Sequence, residues 1–234
     1  MSLQQFPGRL DRQTLTRFKI SLDYVLVYFT QWLETPDSKL WLTGIPGAGK
    51  PVLAGSVIQE ALARGHDVDD VAVVFFFCDY DNSTWVPVNI LGALASQLAR
   101  QKDEAFDILK DYCDQLHPLN SLPQQPETEE LRAMIGRMPE LFEQTILVVD
   151  GLDECDNETE DVMAVLSELA SYTTNISMAL FSRGHHDIRV QLEDSFDCIR
   201  IEAHKEDIRI YVGSELEKKN ANASTTVPER KCQT

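Results

Sequence analysis

The chain has 234 residues, of which 43% are hydrophobic and 25% charged, enough for one α/β domain with a substantial core. Its 38 acidic residues outnumber the 21 basic ones, and the formal net charge of −17 repels a phosphodiester backbone or an anionic lipid surface over most of the molecule. Binding to nucleic acid or to membranes is therefore not expected, while one compact basic site could still hold a small anion.

The five cysteines, Cys78, Cys113, Cys155, Cys198 and Cys232, are widely spaced and form no Cys-x-x-Cys pair, so they read as thiols of a reducing compartment. Combining His185 and His186 with one of them does not match the spacing of a zinc site. Met1 to Leu10 lacks the charged start and apolar stretch of a secretory signal. The longest apolar run, Val71 to Cys78, falls far short of the roughly 20 residues that span a bilayer. A soluble, cytoplasmic protein is the expectation.

In chain order, residues 1–37 form a helical lead-in. Phe18, Leu22, Val25, Phe29 and Trp32 recur at steps of four and three between Leu15 and Leu33, the period of an amphipathic helix. It ends before Thr35, Pro36 and Asp37 and is expected to pack on a first strand over Lys39 to Thr43.

Next come Gly44, Ile45, Pro46, Gly47, Ala48, Gly49, Lys50 and Pro51, a phosphate-binding loop that departs from its pattern in the last letter. The glycines let the backbone curl so that amide N–H groups face phosphate oxygens, the following helix adds partial positive charge, and Lys50 bridges the outer phosphates. The hydroxyl that normally holds Mg²⁺ is replaced by Pro51, which has neither a hydroxyl nor a backbone N–H. Losing a metal ligand and a donor to a charged group weakens Mg·nucleotide binding by roughly two to three decades. Proline also biases Lys50 away from the helical region, although the first turn of a helix tolerates proline itself.

Behind the loop, Leu53, Val57 and Ala61, with Ile58 and Leu62 beside them, mark one helical face, and Gly65 is expected to end that helix in a left-handed conformation. Val71 to Phe77 reads as a strand buried on both faces, Asp79 to Thr84 as a polar turn, and Asn89 onward as a helix with Leu91, Leu94 and Leu98 inward. Phe106, Leu109, Tyr112 and Cys113 predict another helix, Pro118, Pro123 and Pro126 a loop, and Thr128 to Met138 a further helix that Pro139 helps to end.

The second informative stretch runs Ile146, Leu147, Val148, Val149, Asp150, Gly151, Leu152, Asp153, Glu154. Four branched aliphatics make a buried parallel strand, and Asp150 at its carboxyl end is placed to hold Mg²⁺ through water. Asp153 and Glu154 either polarise an attacking water or cap the helix whose face is Val162, Val165, Leu166 and Leu169. A strand over Ser177 to Phe181 leads to Ser182 and Arg183, and that arginine either reaches an outer phosphate or pairs with a surface carboxylate. Asp197 to Ile201 predicts a last strand, Glu206 to Leu216 a last helix, and residues 219–234 a polar, disordered tail. No arginine-bearing lid of a small-molecule kinase is evident.

Taken with both motifs, the chain resembles the NACHT domains of STAND-class signalling NTPases, in particular the nephrocystin-like N-terminal domain of fungal NLR-like receptors. The resemblance rests on Leu40 to Leu53, Val73 to Tyr80, Ile90 to Leu98, Asp150 to Glu154, Phe181 to Arg183 and Asp207 to Val212. It implies that residues 38–218 form a P-loop NTPase three-layer sandwich with a parallel five-stranded sheet flanked by helices. It further implies that ATP or GTP with Mg²⁺ is held between the loop and Asp150, that hydrolysis is slow enough for a switch, and that the chain associates with itself or with full-length NACHT relatives. Members of that class carry an effector module before the domain and a winged helix and repeats after it. This chain is expected to be a short form without either, with weak or no hydrolysis, or else a nucleotide-incompetent scaffold or decoy.

Overall fold

Leu40 and Leu42 enter one hydrophobic cluster while Trp41 between them enters another, and the same alternation on neighbouring strands divides the molecule into layers. The computed structural model describes residues 22–67, 70–78, 87–155 and 158–201. The elements are α1 (Leu22–Glu34), β1 (Lys39–Gly44), α2 (Lys50–Asp67), β2 (Val71–Phe77), α3 (Pro87–Ala99), α4 (Asp103–Leu116), α5 (Thr128–Arg137), β3 (Gln144–Asp150), α6 (Thr159–Tyr172), β4 (Ile176–Ser182), α7 (His186–Leu192) and β5 (Asp197–Ile201). Short 3-10 turns occupy Pro139–Leu141 and Leu152–Glu154. The helix expected over Glu206 to Leu216, the tail, Phe18 and the turn over Asp79 to Thr84 lie outside the described residues.

The five strands form one parallel sheet in the order β2-β3-β4-β1-β5. Every residue of β3 and β4 is buried, as expected for central strands covered on both faces. On one face Leu40, Leu42, Val73, Ile146, Val148, Ala179 and Phe181 pack with Phe29, Trp32 and Leu33 of α1 and Leu53, Val57, Ile58 and Ala61 of α2. On the other, Trp41, Val74, Leu147, Val149, Met178 and Leu180 pack with residues of α3, α5, α6 and α7. The fold is the α/β three-layer sandwich expected from the sequence.

Several expectations change in detail. Gly65 does not end α2, which continues to Asp67, and its φ is not left-handed. A Cβ there would stand 3.2 Å from the Val71 carbonyl oxygen, so the glycine serves the close approach of helix to strand. Leu62 and Phe106 face outward, 50% and 53% exposed, because α2 buries the Leu53, Val57 and Ala61 stripe and α4 turns in Ala105 and Leu116.

The strand at Val71–Phe77 is not buried on both faces throughout: Phe75 and Phe76 are half-buried and Phe77 is exposed. β2 is an edge strand, and its outer backbone groups meet side chains instead of another strand. The Gln97 amide accepts from Phe75 N–H (3.0 Å) and donates to its carbonyl oxygen (2.8 Å). Gln101 repeats the pattern one helical turn later, accepting from Val73 N–H (3.0 Å) and donating to Val73 O (2.9 Å). Two primary amides thus satisfy the outward groups of Val73 and Phe75, which an exposed edge offers to other chains.

Candidate functional site

The carboxyl ends of β1, β3 and β4 lie side by side or one strand apart, and each carries part of the site. At the end of β1, Gly44 is required by contact: a Cβ there would lie 2.9 Å from Ile201 O and 3.2 Å from the Ala48 Cβ. Gly47 (φ 78) and Gly49 (φ 82) are left-handed on either side of Ala48, the conformation only glycine adopts at little cost. Ile45, Pro46, Gly47 and Gly49 are exposed, so this curl is open to a ligand.

Lys50 is the first residue of α2, so Pro51 has not driven it out of the helix. The Gly49 carbonyl accepts from Leu53 N–H (3.0 Å), a bond that needs nothing from Pro51, whose missing N–H falls in the turn where helices have no partner for it. The Lys50 side chain folds back over the loop, donating to Gly44 O (2.9 Å) and Ile45 O (3.4 Å). Burial lowers its pKa. Asp153 and then Asp150 oppose that effect, Arg183 adds to it, and Glu154 opposes it more weakly.

Those four groups come from two other strand ends. Asp150 closes β3 and is buried, and burial pushes its carboxyl up to about 6, with Gly151 N–H and Lys50 pulling it back. Gly151 is left-handed (φ 80), and a Cβ on it would stand 2.8 Å from the Cys78 carbonyl oxygen, which accounts for glycine after the first aspartate. Its N–H donates to Phe181 O (3.0 Å), joining the tips of β3 and β4. Beyond the turn, Asp153 Oδ1 accepts the backbone N–H of Arg183 at 2.7 Å and Oδ2 lies 3.2 Å from Arg183 Nε, while Arg183 Nη2 stands 4.0 Å from Glu154 Oε1. Neither acid caps α6, whose N-cap Glu158 makes no side-chain cap bond. Arg183 does pair with a carboxylate, but a buried one.

A protein-family model described as Nephrocystin 3, N-terminal matches residues 27–183, from within α1 to Arg183. The chain belongs to the nephrocystin 3 N-terminal family. It is 26% identical over 181 residues to the vegetative incompatibility protein HET-E-1 of Podospora anserina, a match that covers 75% of this chain and 13% of that protein. Among solved structures, a Drosophila ORC bound to DNA aligns with a TM-score of 0.58 at 12% identity, over 86% of this chain and 48% of that one. A Walker-type ATPase of Pyrococcus abyssi aligns at 0.49 and 12%, over 86% of this chain and 57% of that one. The chain spans about half the length of these structures, and at 12% identity the alignment with ORC is a likeness of fold alone.

In this nephrocystin 3 N-terminal domain the predicted positions fall into three groups. Gly44, Pro46, Gly47, Ala48, Gly49, Lys50 and Pro51 form one curl after β1, Asp150, Asp153 and Glu154 follow β3, and Arg183 follows β4. Lys50 is within electrostatic reach of all four of Asp150, Asp153, Glu154 and Arg183, whereas Pro51 is exposed. The residues suit a phosphate chain: two left-handed glycines shape the curl, and the Lys50 ammonium rests on two of its carbonyl oxygens. A divalent cation finds fewer partners: among the described residues no three His, Cys, Asp or Glu side chains cluster as a metal site. Asp150 is the protein group that would hold it.

Sequence reasoning missed the support behind the site. Trp41 Nε1–H donates to Ser182 Oγ (2.8 Å), and that hydroxyl donates to Arg183 O (3.0 Å), anchoring the end of β4 to the middle of β1. It also missed that two of the widely spaced cysteines meet: Cys155 Sγ lies 3.1 Å from Cys78 Sγ, both buried thiols, under the turn that carries Asp153 and Glu154. No helix among the described residues is long and apolar enough to cross a membrane.

Proposed function

We propose that this domain binds a purine nucleoside triphosphate, ATP or GTP, with Mg²⁺, and hydrolyses it slowly or not at all, as the nucleotide-holding module of a STAND-class, NACHT-type signalling protein related to fungal NLR-like receptors. The observation that carries the reading is the position of the Lys50 ammonium, at the mouth of a left-handed glycine curl and in the field of Asp150, Asp153, Glu154 and Arg183. On binding, Lys50 exchanges the carbonyls of Gly44 and Ile45 for phosphate oxygens. Backbone N–H groups of the curl face the phosphate chain. Bound Mg²⁺ supplies charge neutralisation between the outer phosphates, with Asp150 as its protein partner through water. The acidic turn that carries Asp153 and Glu154 supplies the water side and Arg183 the outer phosphate. Pro51 removes one metal ligand and one amide donor, which weakens ground-state binding and removes a hold on the cation where hydrolysis needs it.

Isothermal titration with ATP and with GTP in the presence of Mg²⁺ tests this. Wild-type protein is expected to bind one of them, Lys50→Ala to lose it, and Pro51→Thr to bind about two to three decades more tightly, because a donor to a charged group is worth about 1.5–3 kcal/mol and a metal ligand returns with it. Wild-type binding no tighter than that of Lys50→Ala would overturn the reading.

Pro51 also supports a second reading, a nucleotide-incompetent scaffold or decoy that associates with itself or with full-length NACHT relatives in the cytoplasm. Sedimentation of the protein with and without nucleotide separates the two. Association that is unchanged by nucleotide, together with silent titrations, favours the scaffold.

A further inference from the structure

Within the nucleotide-binding reading, on which this step rests, the roles of the two acids after Gly151 can be divided. We infer that Asp153 is a positioning residue: its buried carboxylate fixes the backbone and the guanidinium of Arg183 so that the arginine distinguishes a triphosphate from a diphosphate, and the water side of the site is left to Glu154.

The side chain of Asp153 is 2% exposed, against 27% for Glu154. A general base must lie within hydrogen-bond reach of the water it activates, and Asp153 is enclosed by the residue it holds. Oδ1 takes the Arg183 backbone N–H at 2.7 Å, the shorter and better directed of its two contacts. Oδ2 is at ion-pair distance from Nε, 3.2 Å, without hydrogen-bond alignment, so Oδ1 fixes the main chain and Oδ2 attracts the side chain. Because the carboxylate is within reach of the inner guanidinium nitrogen, it sets the direction in which the planar fork points.

The rest of the Arg183 peptide is held independently. His185 N–H donates to its carbonyl at 2.9 Å and Ser182 Oγ does so at 3.0 Å, while the Gly151 to Phe181 bond keeps the β4 tip beside β3. With the Cα fixed on both sides, the Asp153 contact is the described polar grip that couples the arginine side chain to the acidic turn most closely. Asp153 is also the acid that most favours the charged form of Lys50.

The test is the ratio of affinities for ATP and ADP, each with Mg²⁺, measured by titration on wild type, Asp153→Ala, Asp153→Asn, Arg183→Ala and the Asp153→Ala/Arg183→Ala pair, with thermal midpoints recorded alongside. Wild type is expected to prefer ATP. Asp153→Ala should lower that preference about tenfold, to the level of Arg183→Ala, with ADP affinity kept within about twofold. Asp153→Asn, which retains an oxygen for the Arg183 N–H, should restore part of it, and the double variant should lose no more than either single one, since residues acting as a unit are not additive. If Asp153→Ala fails to fold, the Asn variant against Arg183→Ala decides, a preference equal to wild type overturning the inference. Equal loss of ATP and ADP affinity, an unchanged preference, or additive losses would overturn it and leave the nucleotide reading intact. Where wild type takes GTP instead, the same ratio is read with GTP and GDP, and wild-type protein that binds neither ATP nor GTP would overturn both.

Discussion

Asp150 shows how one side chain is set up by its surroundings before any ligand arrives. Its carboxyl rises from 3.8 to about 6 because burial penalises the charge more than Gly151 N–H and Lys50 repay it. Between those two pH values the folded protein holds more protons than the unfolded chain. The stabilising share of this group is therefore fully present below the unfolded value and is lost as pH rises through about 6, a change on the order of 2–3 kcal/mol. Asp150→Asn removes the penalised charge while keeping the shape. In metal-free protein it should raise the thermal midpoint at pH 8 by about 5 °C and leave the midpoint at pH 4 nearly unchanged, read by circular dichroism melts. A variant that is destabilised at pH 8 would show that the carboxylate is held by its neighbours more strongly than burial opposes it.

At the scale of elements, the edge of the sheet depends on two amides. Gln97 in the last turn of α3 and Gln101 just past its end stand four residues apart and both reach β2, each pairing with the N–H and carbonyl of one strand residue. Replacing both by leucine leaves the edge groups of Val73 and Phe75 without these partners. It should cost about 2–6 kcal/mol in urea unfolding, since four part-buried hydrogen bonds of about 0.5–1.5 kcal/mol each are lost, and should promote concentration-dependent aggregation by light scattering. None of this was legible in the chain, where Gln97 and Gln101 are ordinary polar residues and Val71–Phe77 reads as an interior strand. The parts that could be read are those whose meaning is local. The glycine spacing before Lys50 and the aliphatic run before Asp150 each encode a turn or strand within about ten residues. The pairing of Asp153 with Arg183, the meeting of Cys78 with Cys155 and the exposure of Phe77 depend on strand order, which local periodicity does not contain. Gly65 was misread for the same reason: its neighbour Val71 becomes a close contact only when α2 lies back on the sheet.

For the whole molecule, strand order and net charge act on the site together. Because β4 is inserted between β3 and β1, the strand tip that carries Arg183 lies between the acidic turn and the glycine curl. The chain as a whole is acidic, with a net charge of −17. A sandwich of this kind does not by itself determine what is bound, so charge has to decide between a nucleotide and a polynucleotide. A nucleotide presents a few phosphates to one pocket, whereas duplex DNA carries charge along its whole length and releases counterions only to a matching row of lysines and arginines. With 21 basic residues set against 38 acidic ones, the long-range field opposes the approach of DNA. Non-specific DNA binders reach dissociation constants of about 10⁻⁴ to 10⁻⁶ M at physiological salt. Fluorescence anisotropy of a labelled duplex at about 0.15 M salt should therefore stay flat up to about 100 μM protein, and lowering the salt to about 0.05 M should not bring binding out. Saturable binding that strengthens as salt falls would mean that the basic residues are gathered on one face strongly enough to overcome the total charge.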